Sequence, residues 1–177
     1  MNDELRKKLK ETASFEDKLV LLRSGQIEIT PEVIRQLTSD RHFLSGWFGL
    51  PEDVYRLINS FALEFRSESV IDPFCGTGYL LYYMDDSIQK IGFERNLESL
   101  KLAQLLNPRA SIETRDIIRN PLEDTYQLVV TTLIPFSSDF RQLEQTIDTL
   151  LGLLKKDASL MFVAPDFLLS SLCKSSA

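Results

Sequence analysis

Histidine and cysteine are nearly missing from this chain. Its 177 residues hold one histidine, His42, and two cysteines, Cys75 and Cys173. Two thiols make no disulfide framework, and a lone histidine has no metal partner, so no metal site is expected. His42 reads as a surface or hydrogen-bonded residue. Cys75 lies inside a glycine turn and reads as a small residue rather than a nucleophile. Positive charge is short as well: 20 Lys and Arg stand against 26 Asp and Glu, a net charge of −6. A surface that grips nucleic acid unaided is usually basic, so contact with DNA would need additional domains or subunits. No apolar run approaches membrane-spanning length. The charges of the first eight residues lead into no apolar core, unlike a signal peptide. A cytoplasmic protein without repeats or low-complexity tracts is expected.

What the chain does have is apolar content, 44% of its residues, enough for one good core. The expected organisation is a helical N-terminal segment, residues 1–42, followed by a main domain, residues 43–177. In the first part, Ser14-Phe15-Glu16-Asp17 reads as a helix start and Gly25 as its stop. Thr30 then caps a helix that opens at Pro31. This segment is either a packed lead-in or a partly detached arm. Residues 42–49, His-Phe-Leu-Ser-Gly-Trp-Phe-Gly, form an aromatic loop whose Trp47 and Phe48 read as core anchors. Pro51 opens a helix with Val54, Leu57, Ile58, Phe61, Ala62 and Phe65 on one apolar face, expected to pack on a sheet.

The centre of the sequence is Val70-Ile71-Asp72-Pro73-Phe74-Cys75-Gly76-Thr77-Gly78-Tyr79-Leu80-Leu81. It reads as a buried strand, a glycine turn and the first turn of a helix. Glycines at 76 and 78 let backbone approach a ligand closely, and a helix start offers unpaired N–H groups. Asp72 before the turn would repel phosphate and suits a ligand that brings donors or positive charge. The third glycine of a dinucleotide fingerprint would fall at Leu81, so a nicotinamide cofactor fits less well.

Further strands are expected at Lys90–Glu94, Ala110–Thr114, Tyr126–Ile134 and Ser159–Ala164. Glu94 lies 22 residues beyond Asp72, at a strand end where an acid can accept both ribose hydroxyls. Asp116 lies another 22 residues on, with Ile117 after it. Asn96 is placed to cap a helix carrying Leu97, Leu100, Ala103 and Leu106, which Asn107-Pro108 stops. A later helix presents Phe140, Leu143, Ile147, Leu150, Leu151 and Leu154, with Lys155 and Lys156 complementing its C-terminal end. Alternating strands and helices predict an α/β, Rossmann-like doubly wound parallel sheet of about five strands, in the order 3-2-1-4-5.

The string Asp-Pro-Phe-Cys-Gly-Thr-Gly resembles the cofactor loop of S-adenosylmethionine-dependent N6-adenine DNA methyltransferases, in particular the modification subunits of type I restriction systems. The resemblance covers roughly residues 43–165 and is strongest at 70–81. It implies a class I methyltransferase fold with S-adenosyl-L-methionine as cofactor. Asp72, Pro73, Phe74, Cys75, Gly76 and Gly78 would wrap the cofactor's methionine part, and Glu94 would hold its ribose. Asp116 would accept from the adenine amino group while Ile117 packs on the ring. Residues 43–48 would lie over the cofactor. It also implies DNA as partner, through other domains or a specificity subunit.

In that family a motif of Asn, Asp or Ser, then Pro-Pro, then Tyr or Phe follows the fourth strand. Its first side chain and the next carbonyl accept the amino hydrogens of a flipped adenine, and the aromatic ring stacks on the base. The matching residues here are Leu133-Ile134-Pro135-Phe136. Pro135 and Phe136 fit. Leu133 has no acceptor, so the catalytic motif is degenerate, and Thr132 in a shifted register would be a weaker substitute. The family's sheet also has seven strands. A fragment of a longer protein and a degenerate relative are both open, and a sheet ending at strand five would leave an edge that invites pairing or a homodimer. Three functions follow: an N6-adenine DNA methyltransferase, a non-catalytic cofactor-binding or assembly module, or a methyltransferase acting on RNA, protein or a small molecule.

Overall fold

The computed structural model describes residues 7, 9, 11, 12, 14–25, 27–38, 50–132 and 140–163, with backbone alone at 38 and 140–143. The aromatic loop at 42–49, the segment Leu133–Phe136 and Cys173 lie outside the described residues. Five strands form one parallel sheet: β1 (Ser69–Asp72), β2 (Gln89–Glu94), β3 (Ser111–Thr114), β4 (Tyr126–Thr131) and β5 (Leu154–Phe162). Their order is β3-β2-β1-β4-β5, as the alternation of elements predicts. β1 is central, pairing Ile71 with Ile91 on one side and with Val129 on the other. From β1 the chain steps outward through β2 to β3, then returns to β4. Ligands in open α/β sheets bind where the strand order reverses like this, beyond the carboxyl ends.

Both sheet faces are covered, so the strands are apolar on both sides. Val70, Ile112, Leu128 and Val130 join the larger core, beneath helices α1 (Phe15–Arg23), α2 (Pro31–Thr38), α3 (Glu52–Glu64), α4 (Tyr79–Tyr83) and α5 (Leu97–Leu106). Ile71, Phe93 and Val129 join the smaller one, with Leu150 of α6 (Phe140–Gly152) and Ile117. The lead-in helices share the larger core: Leu19, Leu22 and Ile34 are fully buried within it. Their ends are those expected. Ser14 Oγ accepts from the Asp17 N–H at 3.0 Å, Gly25 takes the left-handed conformation, and Thr30 Oγ1 accepts from Val33 N–H at 3.4 Å.

Two helices face differently from their sequence patterns. α3 buries Tyr55, Ile58 and Ala62, while Leu57 (55% exposed), Phe61 (39%) and Phe65 (53%) face outward. The polar hydroxyl is why Tyr55 escaped the apolar count; it is satisfied by the Leu50 N–H at 2.9 Å, which lets the ring go inside. α5 packs through Leu100, Ala103 and Leu106 as its pattern predicts, but adds Leu102 and leaves Leu97 exposed. Its Asn96 cap and Asn107 stop are as predicted.

The last strand starts earlier than its pattern implied. α6 ends at Gly152, and Lys155 and Lys156 lie in β5 rather than in the helix's final turn. Asp157 at φ 63° and a register jump opposite Tyr126–Leu128 mark a bulge there. The extra residues of a bulge break the alternation from which strands are recognised in sequence. No helix among the described residues is long and apolar enough to cross a membrane.

Asn107 is buried, and its Nδ2 donates to the carbonyls of Gly78 and Ala103, both at 3.0 Å. Replacing it with Leu strips two buried carbonyls of a donor, and a stability loss of about 2 kcal/mol in urea unfolding is the expected outcome.

Candidate functional site

The glycine turn is an extension of the sheet. Cys75 N–H donates to the Phe93 carbonyl at 3.0 Å, continuing the β1–β2 ladder past Asp72, and Gly78 N–H closes the turn onto the Cys75 carbonyl at 2.7 Å. The two glycines do different jobs. Gly78 sits at φ 82°, and a Cβ there would lie 2.5 Å from Asn107 Nδ2 and 3.2 Å from the Ala103 backbone. Gly76, at φ 54°, has open space on its Cβ side. The first glycine therefore leaves the loop's outer side open, and the second lets the loop lie on α5. The helix that follows, α4, has only five residues, so its dipole adds little to the site.

Gly92 was not singled out by the sequence reasoning. A Cβ there would come within 2.8 Å of Leu81 Cδ1 and 3.0 Å of Cys75 Sγ, so β2 must be bare where the loop crosses it. Cys75 is buried against this position, and its thiol is pushed well above its ordinary range by burial and by the nearby Asp72 and Glu94. It is an inert small residue, as the sequence implied.

Three acids end three adjacent strands. Asp72 closes β1 and Glu94 closes β2, while Asp116 stands two residues beyond β3. Asp72 is 1% exposed, and its Oδ1 accepts the Phe74 N–H at 3.2 Å. Burial, with a smaller contribution from Glu94, raises its pKa from 3.8 to about 7. Glu94 is half-buried, and its Oε1 accepts the Asn96 N–H at 2.6 Å. Asn96 Oδ1 in turn accepts from Glu98 and Ser99, so the acid and the helix cap are built as one unit.

Asp116 is partly committed elsewhere. Its Oδ1 accepts from Ile118 at 3.2 Å and Arg119 at 3.3 Å, holding the turn after β3. Its Oδ2 lies 3.9 Å from Arg95 and 3.8 Å from Arg119. Ile117 is fully buried and Phe74 half-buried, and both pack in the smaller core with Phe93. Pro73 is buried at the strand end. The cofactor-side residues picked from sequence thus gather at one rim of the sheet, whereas Leu133–Phe136 lie outside the described residues.

Sequence reasoning also missed Thr131, the last residue of β4. It is fully buried, and its Oγ1 has no hydrogen-bond partner among the described residues. It sits one strand from the Asp72 loop, on the sheet face that holds Val129 and Ile117. Nothing in the residue type distinguishes such a threonine from an ordinary strand former.

No family model and no curated protein matches the chain. Solved structures do. A S-adenosylmethionine-dependent methyltransferase from Clostridium acetobutylicum superposes with a TM-score of 0.61 at 14% identity, covering 80% of this chain and 60% of that one. The five-stranded parallel sheet matches the Rossmann-like fold of that methyltransferase. A TehB-like methyltransferase from Corynebacterium glutamicum gives 0.57 at 16% identity, over 82% and 83% of the two chains. The ribosomal protein L11 methylase of Lactobacillus delbrueckii subsp. bulgaricus gives 0.55 at 17% identity, over 72% and 67%. At these identities it is the fold that is shared.

Asp72 carries a pH signature. Its folded pKa of about 7 lies above its ordinary 3.8, so its favourable contribution is complete below about pH 4 and is lost as pH rises toward 7. Asp72→Asn keeps the acceptor for Phe74 and removes the titration. Thermal unfolding followed by circular dichroism should show the variant gaining on the wild type between pH 4 and pH 8.

Proposed function

We propose that this chain binds S-adenosyl-L-methionine at the carboxyl ends of β1, β2 and β3, as a methyltransferase domain of the N6-adenine DNA type. The observation that carries the proposal is the acid–glycine loop standing at the switch point of a class I methyltransferase sheet. The residues present suit that ligand. Asp72 and Glu94 offer carboxylates with no cationic side chain paired to either among the described residues, which favours ammonium, sulfonium and hydroxyl groups. Gly76 leaves room for the ligand along the loop. In this proposal Asp72, Pro73, Phe74, Cys75, Gly76 and Gly78 surround the methionine part, Glu94 the ribose, and Asp116 with Ile117 the adenine.

S-adenosylmethionine supplies an electrophilic methyl group when bound. The chain's share is positional: to hold the ligand still, exclude water, and let an acceptor nitrogen approach in line. The adenine assignment rests on the loop's resemblance and on Pro135-Phe136. DNA would be gripped through other domains, a specificity subunit or a second copy, in keeping with the net charge of −6. The similar structures include an enzyme described as a ribosomal protein methylase, so a protein acceptor is compatible with this sheet.

One observation favours a second reading. Leu133, where the family has Asn, Asp or Ser, cannot accept an amino hydrogen. A cofactor-binding module that serves assembly without catalysis would keep the loop and lose that residue.

Titration calorimetry with S-adenosylmethionine should give saturable binding, and Glu94→Ala should weaken it by about tenfold, the worth of one charge-assisted hydrogen bond pair. Absence of heat at millimolar ligand would sink the proposal. Radiolabelled methyl transfer to adenine-containing DNA separates the two readings: transfer gained on Leu133→Asn marks the wild type as the module.

A further inference from the structure

We propose that uptake of the adenosyl ligand is coupled to loss of the Asp72 proton: the empty site holds this carboxyl neutral, and the ligand's positive charge replaces the proton. This rests on the cofactor assignment above and adds to it a regulation of that site.

The argument begins with what surrounds the carboxyl. Asp72 is the last residue of the central strand and is 1% exposed. Its hydrogen bond among the described residues is a single backbone one, from Phe74. Among the described residues, the ionisable groups that face it are a carboxyl, a phenol and a thiol. Glu94 approaches from β2, Tyr55 from α3, and the Cys75 thiol from the loop. Among the described residues no Lys or Arg pairs with it. One N–H is too little to hold a buried carboxylate ionised against a neighbouring acid. Two of these neighbours respond in the same sense: burial first, with Asp72 adding to it, pushes the Tyr55 phenol up to about 12 and the Cys75 thiol well up.

Such a carboxyl holds a proton that a positive charge could replace. Charge balance makes the exchange simple. The carboxylic acid gives its proton to the buffer, the carboxylate remains, and the sulfonium or ammonium of the ligand compensates it. No bond other than O–H breaks. The same argument explains why a buried acid is tolerated at the strand end at all. Below about pH 7 it is mostly neutral while the site is empty, and a cationic partner draws it into the charged form.

The linkage sets the pH dependence. With the folded carboxyl titrating at about 7, affinity should fall up to tenfold for each pH unit below that value and level off above it. The experiment is calorimetry of wild-type protein with S-adenosylmethionine at pH 6.5, in buffers of different ionisation heat. At this pH the ligand's own ammonium stays protonated. Release of about three quarters of a proton is expected from a carboxyl titrating near 7. Asp72→Asn should bind with no net release. Binding by the wild type with no buffer dependence, or equal release by both proteins, overturns the proposal and leaves the cofactor assignment standing. Failure to bind at all removes the assignment and the proposal together. A ligand-free readout adds an independent check. Carbon-13 NMR of the Asp72 carboxyl should show a midpoint near neutrality, and a midpoint near 4 would refute the stored proton.

Discussion

Close packing of bare glycine backbone against neighbouring residues governs this molecule. The loop after β1 lies on β2 at Gly92 and on α5 at Gly78, and neither place admits a methyl group without displacement. That contact fixes where Cys75 pairs with Phe93, and so how far the sheet ladder runs past the end of β1. The position of Asp72 follows, because it is the last residue before the loop turns. Glu94 is set by the same ladder and by the Asn96 cap. Gly78 and Gly92 serve the rim by packing closely against their neighbours, while Gly76 stands open.

Electrostatics at that rim is unusual in one respect. Neighbouring strand ends present acids, and the nearest guanidiniums, Arg95 and Arg119, gather at Asp116 on the β3 side. The charge is therefore graded along the rim. It is compensated at β3, braced by a backbone N–H at β2, and suppressed by burial at β1.

Much of this was legible from residues alone. Parallel order followed from alternating elements, the caps from Ser14, Thr30 and Asn96, and the rim from spaced acids after short apolar runs. What escaped has a common cause. Tyr55 and Asn107 count as polar by type, yet each is buried because a specific backbone partner satisfies it. Gly92 mattered through a neighbour far away in sequence, Thr131 through the absence of one. Leu57, Phe61 and Phe65 fit a helical period but lie on the wrong side, since the stripe is wider than the surface available to cover it. Periodicity reports how much of a helix is apolar, and only packing chooses which part is used.

The bond from the Tyr79 hydroxyl to the Pro31 carbonyl, 3.2 Å long and buried, joins the first residue of α4 to the first residue of α2. It acts as a rivet between the lead-in helices and the segment that forms the loop's far end. A shift of α2 would therefore have to break this bond or carry Tyr79 with it, which makes the lead-in helices a mechanical neighbour of the residue that follows Gly78.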